Sequence, residues 1–329
     1  MLQPMEKHRG RLKCLRREKP GNEMQPQLTV IIPHLNEPEG NLRRCLLALD
    51  AQCAPHLRLQ IIVVDNGSVE LPFSACADIP DVLLAREATP GPGPARNRGA
   101  LLAKSDLLAF VDADCTVEPG WAQAIVQTMK SRPDVDVIGG DIAILMADPA
   151  HPTAIESYES IYSYRARLYV ERHGYAATGN MAVRASVFRH VGPFGGIGTM
   201  EDTAWGQRAT ALSFKTVFLS EAKVLTPSCR SFNELARRWD RHVAHQFDEW
   251  ERGRLGRLRW FAASIAVAGS PLIEAFRIAA SDKISGARNR LSALACLTRI
   301  RLYRARRMLE VARHGRADAL VGNWNREGA

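Results

Sequence analysis

Short apolar runs alternate with segments of helical periodicity through the first half of the chain. The first run is rich in β-branched residues and stopped by a proline, which is typical of a buried strand in a parallel sheet. We predict such strands at Leu28–Pro33, Leu59–Val64, Val82–Ala85, Leu107–Val111 and Val135–Leu145. The segments between them predict helices at Asn41–Gln52, at Ala95–Ala103, and from Pro119 as first residue to about Lys130. This alternation predicts an α/β domain with a mostly parallel sheet.

Helical patterns dominate after about residue 150. We predict helices at Ala154–Glu171 and Glu201–Leu212, with short strands at Thr178–Val183, Lys215–Leu219 and Lys223–Thr226. From Ser231 onwards the pattern is almost wholly helical. Ser231 and Glu234 have the spacing of a capping box, and we expect the helix that they begin to end at Gly253. One face of that helix is apolar and consists of Leu235, Trp239, Val243, Phe247 and Trp250.

The composition is that of a folded protein without a disulfide framework. Of the 329 residues, 46% are hydrophobic and 24% are charged, which is enough for one large or two small domains. The seven cysteines are an odd number without a Cys-x-x-Cys pair, which argues against both disulfides and a zinc module. Residues 1–27 are polar and basic and lack the apolar segment of a secretory signal, so we expect a cytoplasmic protein.

The net charge of +9 is unevenly distributed along the chain. Residues 230–329 contain 20 Lys and Arg against 10 Asp and Glu, whereas residues 28–229 contain 17 against 22. Residues 1–27 contribute 7 against 3. A basic region of this kind suits an anionic partner, either nucleic acid or the cytoplasmic leaflet of a membrane, and equally a solvated helical surface.

An uncharged apolar segment lies inside this basic region. Trp260–Ile273 would form about 21 Å of helix at 1.5 Å per residue, whereas a full membrane span needs about 20 residues. Arginines precede and follow the segment. Docking at a membrane interface, packing within a soluble protein and a true span all remain open at this point.

Polar residues follow three of the predicted strands directly. The first strand ends in Pro33-His34-Leu35-Asn36-Glu37, the second in Asp65-Asn66-Gly67-Ser68 and the fourth in Asp112-Ala113-Asp114. Open α/β sheets bind their ligands at this carboxyl edge. Two carboxylates separated by one small residue after a buried strand can share a divalent ion, so Asp112 and Asp114 predict a Mg²⁺ or Mn²⁺ site of the kind completed by substrate phosphates.

Two further segments carry weaker signals. Gly91–Gly99 places glycines before a helix, where free backbone N–H groups can receive phosphate, although it matches neither a Walker A motif nor a GxGxxG fingerprint. Glu201 and Asp202 begin another helix, where acids are ordinary stabilisers of the helix dipole and can also be functional.

Taken together, these segments resemble the family 2 glycosyltransferases, which have the GT-A fold and use nucleotide sugars. The resemblance covers about residues 28–250. It depends on seven pieces in the family's order, namely LTVIIPHLNE, IIVVDNGS, GPGPARNRGA, LAFVDADC, ATGNMAVRASVF, GTMEDTAWGQRA and ARRWDRH.

The resemblance implies a role for each residue on the donor side. The residues implied to line the nucleotide pocket are Pro33, Asn36 and Glu37. Asp65 would bind the base, commonly uracil, and Arg96 would lie beside the nucleotide and its phosphates. Asp112 would face the ribose or donor sugar. Asp114, with Asp112 beside it, would bind the Mg²⁺ or Mn²⁺ ion that bridges the diphosphate.

The resemblance also implies the residues around the acceptor. Gly179, Asn180 and Met181 would border the donor sugar and the acceptor. Asp202, with Glu201 beside it, would be the general base. The arginine and tryptophan element near the diphosphate would consist of Arg237, Arg238 and Trp239.

Two departures from the family pattern bear on specificity. Asp-Asn-Gly-Ser stands where Asp-Asp-Gly-Ser is commoner, which leaves the identity of the base less firmly indicated. The tryptophan element is shorter than in processive polymer synthases, which favours transfer of one sugar per encounter.

We therefore predict an inverting, metal-dependent, hexosyltransferase-type enzyme with three regions. Residues 1–27 would be a flexible basic tail, residues 28–250 a GT-A domain, and residues 251–329 a basic helical extension that associates with an anionic membrane surface. The expected partners are a nucleotide sugar, with UDP-sugars favoured, and a glycan or lipid-linked acceptor in surface polysaccharide or glycolipid synthesis. We expect the protein in the cytoplasm, peripheral to the cytoplasmic face of the membrane.

Two alternatives of other classes remain. A sugar nucleotidyltransferase also combines glycines, arginine and metal, but it would place its glycine loop after the first strand. A non-catalytic nucleotide-sugar or nucleic-acid binding protein would use the basic region. Nucleic-acid binding would depend strongly on salt, and the intact set of Asp112, Asp114 and Asp202 argues against a catalytically inactive relative.

Overall fold

In the computed structural model, the first four predicted strands form the parallel half of an eight-stranded sheet, and the fifth, predicted at Val135–Leu145, lies in the antiparallel half. The strands of this sheet are β1 (Leu28–His34), β2 (Leu59–Asp65), β3 (Val82–Arg86), β4 (Leu107–Val111), β5 (Thr116–Val117), β6 (Val137–Leu145), β7 (Asn180–Arg184) and β8 (Thr216–Pro227). The order is β3-β2-β1-β4-β7-β6-β8-β5. The structure describes residues 25–197, 199–251 and 256–314, apart from the side chains of residues 245, 248–251 and 314.

The two halves of the sheet differ in strand direction. The pairs β3–β2, β2–β1 and β1–β4 are parallel, and Ile31 lies between Ile62 and Phe110 in the register. The pairs β4–β7, β7–β6 and β8–β5 are antiparallel. The predicted α/β fold is confirmed, and its sheet is mixed, with more antiparallel pairing than the apolar pattern indicated.

The described residues also form twelve helices. They are α1 (Glu39–Asp50), α2 (Phe73–Cys76), α3 (Pro92–Leu102), α4 (Trp121–Ser131), α5 (Ala154–Tyr162), α6 (Ala166–His173), α7 (Ala185–Val191), α8 (Glu201–Ala211), α9 (Phe232–Glu251), α10 (Gly256–Gly269), α11 (Pro271–Ala279) and α12 (Ala287–His314).

Most predicted elements differ from the observed ones by one to three residues at an end, and some differ in number. Helix α4 begins two residues after Pro119, because Gly120 takes a left-handed conformation (φ 84°) at its N-cap. The single helix predicted over 154–171 is interrupted at 163–165 and forms α5 and α6. The two short strands predicted over 215–226 are one continuous strand, β8. The predicted helix end at Gly253 and most of the predicted tail over 1–27 lie outside the described residues.

The chain divides into two units. Residues 25–142 and 166–225 form the first, which we call the sheet unit, and residues 143–165 with 226–314 form the second, the helical unit. Helix α9, predicted to belong to the catalytic domain, is therefore in the same unit as α10, α11 and α12.

An aromatic core supports the sheet unit. The rings of Phe110, Phe188, Phe194 and Trp205 pack against one another with centroids 5.2–5.7 Å apart. Trp205 is fully buried, and its indole N–H donates to the carbonyl oxygen of Gly192 over 2.8 Å. This core fixes α8 and the loop before it against the end of β4, where the predicted site residues lie.

The helical unit has its own core around α5, α9 and α12. Tyr158, Leu235 and Leu297 are buried in it. The predicted cap of α9 is present in modified form, since Ser231 Oγ accepts from Glu234 N while the Glu234 carboxylate accepts from Arg230 N. The predicted apolar face of α9 is buried at Leu235, Val243 and Phe247.

Candidate functional site

A buried arginine joins two carboxylates at the carboxyl edge of the parallel strands. Arg96 on α3 donates from Nη2 to Asp112 Oδ1 over 2.7 Å and from Nη1 to Glu201 Oε1 over 2.9 Å. Its side chain is 4% exposed, whereas those of Asp112 and Glu201 are 43% and 20% exposed. Helix α3, the end of β4, which follows it directly, and the start of α8, with Glu201 105 residues after Arg96, therefore meet at one guanidinium.

The carboxylates keep this guanidinium charged. Burial by itself lowers the pKa of Arg96, but Asp112 and Glu201, with Asp202 beyond them, raise it above its ordinary value. Arg96 therefore places a permanent positive charge next to two carboxylates that solvent can reach. No local pattern in the sequence indicates this pairing, because an arginine inside a helix is usually exposed.

Asp114 lies two residues after Asp112 in a more enclosed position. Burial, then the neighbouring charges of Asp112 and Glu37, raise the pKa of the Asp114 carboxyl to about 7. A site that holds several carboxylates with insufficient positive charge is one that a cation would stabilise.

The donor set at this edge fits a divalent cation shared with a substrate. Among the described residues, no group of three or more His, Cys, Asp and Glu side chains is placed to hold a metal by itself. Asp112 and Asp114 nevertheless supply the one or two carboxylates with which proteins usually hold Mg²⁺ when phosphate oxygens and water complete the coordination.

Asp202 is the second enclosed carboxylate. Burial and the adjacent Glu201 raise its pKa to about 6, although Thr203 N donates to Asp202 Oδ1 over 2.7 Å. A carboxylate of this kind is mostly ionised at neutral pH, and it accepts a proton more readily than an ordinary aspartate.

Tyr175 is a neighbour of Asp202 that sequence reasoning missed. Its ring stacks on that of Tyr169 with centroids 5.2 Å apart. Burial, Tyr169 and the charge of Asp202 raise the pKa of Tyr175 to about 12, so its hydroxyl stays protonated. The residue lies between two predicted elements, where the sequence pattern contains no sign of a role.

Asp65 is buried and hydrogen-bonded at the end of β2. His34 Nδ1 lies 3.3 Å from Asp65 Oδ1, and the backbone N–H groups of Gly67 and Ser68 donate to Oδ2 over 3.2 and 3.4 Å. Burial alone would raise the pKa of Asp65, but hydrogen bonds from His34, Ser68 and Gly67 lower it overall. His34 Nε2 is buried and has no hydrogen-bond partner among the described residues.

The loop after β1 is held against the loop after β2. Asn36 has a positive φ of 51°, its backbone N–H donates to Ser68 Oγ over 2.8 Å, and its Oδ1 accepts from Val69 N over 3.0 Å. Glu37 accepts from Asn41 Nδ2 over 2.6 Å. Pro33 is buried within β1. The three predicted pocket residues thus lie at the same edge of the sheet as Asp65.

Asn66 explains one departure from the family pattern. Its side chain is fully buried, donates to the carbonyl oxygens of Glu87 and Thr89 over 3.0 and 2.7 Å, and accepts from Gly91 N over 2.7 Å. An aspartate could not donate to those two carbonyls. The residue therefore positions the loop before α3, and its amide is fully used within the protein.

The glycines of the 91–99 segment allow close packing. A Cβ at Gly93 would collide with the carbonyl oxygen of Gly195, and Asn97 exchanges hydrogen bonds with the backbone of Phe194 over 2.9 and 3.0 Å. Pro92 and Pro94 remove two N–H groups from the first turn of α3. The predicted phosphate cradle thus has few free donors, and the segment mainly joins α3 to the loop before α8.

Of the three residues predicted to border the acceptor, Gly179 is the one that lies beside the carboxylates. A Cβ at Gly179 would lie 2.9 Å from Asp112 Oδ2, so this glycine adjoins the site. Asn180 is buried, donates to the carbonyl oxygens of Asp141 and Ala222, and accepts from Trp121 Nε1. Met181 is buried in the aromatic core. The Asn180 side chain is therefore engaged in hydrogen bonds within the protein, and the Met181 side chain is engaged in core packing.

The arginine and tryptophan element lies in the helical unit. Arg237 is exposed on α9, whereas Arg238 Nη1 donates over 2.7 Å to Oε1 of Glu159, which is buried. The guanidinium of Arg304 stacks over the Trp239 ring, 4.5 Å from its centroid. The roles near the diphosphate that the resemblance implies for this element remain predictions.

Sequence comparisons with known proteins indicate the family of this chain. The glycosyl transferase family 2 model matches residues 29–192. Glycosyltransferase AglE of Haloferax volcanii is 32% identical over 252 residues, which are 73% of this chain and 79% of that protein. Glucosyl-dolichyl phosphate glucuronosyltransferase of the same organism is 34% identical over 85 residues, which are 25% of this chain and 27% of that protein.

A solved structure shares the fold. Mannosyltransferase PcManGT from Pyrobaculum calidifontis, solved in complex with GDP-Man and Mn²⁺, superposes with a TM-score of 0.52 and 16% sequence identity. The match covers 91% of this chain and 79% of that one. With the match to AglE over most of both sequences, these findings show that the chain is a glycosyltransferase and belongs to glycosyl transferase family 2.

Proposed function

We propose that this enzyme transfers a sugar from a nucleoside-diphosphate sugar to a hydroxyl of a glycan or lipid-linked acceptor, with inversion at the anomeric carbon. The observation that carries the proposal is the bridge from Asp112 through Arg96 to Glu201. Asp114 follows Asp112, and Asp202 follows Glu201. A single buried arginine thus links the carboxylate pair suited to a metal with the pair suited to proton transfer.

Asp202 is the proposed general base. As the acceptor oxygen attacks the anomeric carbon and the bond to the diphosphate breaks, the hydroxyl proton moves to the Asp202 carboxylate. A pKa of about 6 leaves this carboxylate mostly ionised at pH 7 and still basic enough to take the proton. One base acting on the attacking hydroxyl suits a single displacement, which inverts the anomeric centre.

Asp112 and Asp114 would hold Mg²⁺ or Mn²⁺ together with the donor diphosphate. When bound, the ion would neutralise the negative charge that develops on the leaving diphosphate. Arg96 keeps Asp112 in place through its 2.7 Å hydrogen bond and contributes fixed positive charge nearby. The Mn²⁺ that accompanies GDP-Man in the PcManGT complex supports the choice of ion.

A UDP-sugar is the proposed donor, and Asp65 is the residue proposed to bind the base. Asp65 lies at the carboxyl edge of β2, next to the buried His34 and at the same edge as Asn36, and this position supports its proposed role. A lipid-linked sugar is the proposed acceptor class, because the name of one relative specifies a glucosyl-dolichyl phosphate. The resulting role is synthesis of a surface polysaccharide or glycolipid at the cytoplasmic face of the membrane.

Release of nucleoside diphosphate from candidate donors tests the proposal. The purified chain is incubated with UDP-, GDP- and TDP-sugars, with and without Mn²⁺. We expect release from UDP-sugars that requires the ion and increases when an acceptor extract is added. Release from GDP- or TDP-sugars alone would overturn the proposal that the donor is a UDP-sugar. Release of pyrophosphate from a nucleoside triphosphate and a sugar phosphate would indicate a nucleotidyltransferase instead.

A further inference from the structure

Helices α10 and α11 each expose a row of apolar side chains, and we call the two rows together the apolar stripe. Its members are Leu258, Phe261 and Ile265 on α10 and Leu272, Ile273 and Phe276 on α11. Within each helix, the spacing of three or four residues, with Ile273 next to Leu272, places these members on one side of that helix. Leu272, Ile273 and Phe276 are 80%, 77% and 80% exposed. Proteins that remain free in water rarely expose contiguous apolar patches of this kind.

The opposite side of the same helices is buried within the helical unit. Trp260 is 1% exposed, and its indole N–H donates to the carbonyl oxygen of Met308 on α12 over 2.8 Å. Pro271 and Ile278 are also buried. The helix pair is therefore held against the rest of its unit by one face, which leaves the apolar stripe as the outer surface.

The helices that carry this stripe, together with α12, have a strong excess of positive charge. Residues 256–314 contain twelve Lys and Arg against three Asp and Glu. Arg259, Lys283 and Arg288 are exposed. Of the three acids, Glu274 accepts hydrogen bonds from Tyr162 and Arg277, and Glu310 from Arg306 and Arg307. Apolar side chains flanked by basic residues match the acyl boundary and headgroups of an anionic membrane.

The bend between α10 and α11 and the burial of one face of each helix favour docking over spanning. In the described part of the chain, none of the helices alone combines the length and the apolar character of a membrane span, and α10 and α11 do so only as a pair, which is bent by 46°. Helix α10, with 14 residues, is about 21 Å long, against about 30 Å for the hydrocarbon core.

We propose that α10 and α11 dock in the plane of an anionic bilayer, with the apolar stripe inserted among the lipids and the surrounding basic residues on the headgroups. This surface binds lipid independently of sugar transfer, so its test does not need an active enzyme.

Co-sedimentation of the full chain with vesicles tests the docking surface. One set of vesicles is phosphatidylcholine alone and the other contains added phosphatidylglycerol. We expect binding to the anionic set, weakened by salt because the attraction is screened. The Leu272→Ser, Ile273→Ser, Phe276→Ser variant should bind about a hundredfold more weakly, since each side chain loses its insertion into the lipid. Leu101→Ser, which changes a leucine that is 79% exposed on α3, is the matched control and should bind normally.

The basic residues are tested separately. Replacing Arg259, Lys283 and Arg288 by Gln should weaken binding to anionic vesicles by about a hundredfold at low salt, at roughly a factor of five per charge. Far-ultraviolet circular dichroism and thermal unfolding should match the wild type for every variant, because all the replaced side chains are exposed.

Three results would overturn the proposal. The first is equal binding to both vesicle sets or to neither, and the second is undiminished binding by the triple serine variant. The third is retention in the membrane after an alkaline carbonate wash, which would indicate a span. If light scattering shows a dimer that the triple serine variant dissociates, while vesicles do not bind, the stripe is an interface between two copies of this chain.

Discussion

The two units of this chain use the same pair of residue types, an arginine and a glutamate, in opposite ways. In the sheet unit, one buried arginine, Arg96, serves two carboxylates that solvent can reach. In the helical unit, one buried carboxylate, that of Glu159, accepts from Arg238, from the backbone of Cys229 and from the hydroxyl of Ser163. The first arrangement leaves negative charge available for a ligand, and the second consumes it within the protein.

Residual charge therefore indicates function better than the presence of an ion pair does. Around Arg96, the carboxylates of Asp114 and Asp202 have raised pKa values because they are buried beside other acids. At Glu159, both carboxylate oxygens accept hydrogen bonds from within the unit. Breaking the arrangement around Arg96 should therefore mainly reduce activity, whereas breaking the arrangement around Glu159 should mainly reduce stability.

Replacing the proposed base should have the largest effect. Asp202→Asn is expected to reduce kcat by about 10²–10⁴-fold and to leave the affinity for the donor unchanged, because the proton moves only as the acceptor attacks. Steady-state transfer and calorimetric titration of donor separate the two quantities. Asp106→Asn, at an exposed carboxylate before β4, is the control. A kcat near that of the wild type would assign the proton to another residue, with Glu201 the first to test.

Replacing Arg238 should mainly reduce stability, whereas replacing Arg96 should mainly reduce activity. Arg238→Gln leaves the buried Glu159 charge with two hydrogen bonds and is expected to lower the free energy of unfolding by about 3–5 kcal/mol. Arg96→Gln leaves two partly exposed carboxylates and should cost only about 1–2 kcal/mol, but it should reduce kcat by about a hundredfold, because Asp112 loses its hydrogen bond and the nearby positive charge is removed. Urea unfolding and transfer assays check both variants. Equal losses of stability would contradict the contrast between the units.

The loop before α3 offers a test within the sheet unit. Asn66→Asp replaces an amide that donates to two carbonyl oxygens with a carboxylate that faces them. We expect a loss of about 1–3 kcal/mol in the free energy of unfolding. Asn289→Asp is the control, because the Asn289 amide on α12 makes a single exposed hydrogen bond, to the carbonyl oxygen of Ser285. Unchanged stability of the Asn66→Asp variant would show that the loop tolerates rearrangement at this position.

The carboxylate pair at the end of β4 is tested by binding. Asp114→Ala should weaken Mn²⁺-dependent binding of the nucleotide sugar about tenfold or more, or about 1.4 kcal/mol, with the fold intact. Calorimetry with and without the ion measures the change, and binding without the ion should be the same in variant and wild type. Unchanged Mn²⁺-dependent affinity in the variant would remove Asp114 from the proposed metal site.

The pH dependence is the smallest of the expected effects. Because the base acts in its ionised form and its pKa is about 6, the transfer rate should rise with pH through 6 and then level off. At pH 5 the rate should be about a tenth of its plateau value. A profile of kcat from about pH 4.5 to 8 in the presence of saturating donor measures it. A rate that falls as pH rises through this range would contradict Asp202 as base.

The sequence predicts the parallel strands well because their signal is local. Apolar runs such as Leu28–His34 and Leu59–Asp65 are buried along their whole length, so each run by itself indicates a strand. The break at 163–165 between α5 and α6 has no Gly or Pro to mark it, and the antiparallel pairing of β4 with β7 depends on contacts far apart in sequence. These features could not be found from the local pattern.

The candidate site likewise contains residues that the local sequence pattern reveals and residues that only the fold reveals. Asp112, Asp114 and Asp202 are visible in the sequence because they follow a strand or begin a helix. The role of Arg96 as a bridge depends on three elements that meet only in the fold. The hydrogen bonds of Asn66 and the position of Tyr175 beside Asp202 depend on tertiary structure in the same way.

Gly179 places a limit on how this enzyme can change through mutation. Since even a single methyl group there would press on Asp112, an alanine at this position would disturb the proposed metal site without removing any charged or polar group. We therefore expect substitutions at position 179 to be tolerated only where the Asp112 carboxylate can shift away from its hydrogen bond with Arg96. The same constraint offers a way to inactivate the enzyme in a cell while its titratable residues stay the same.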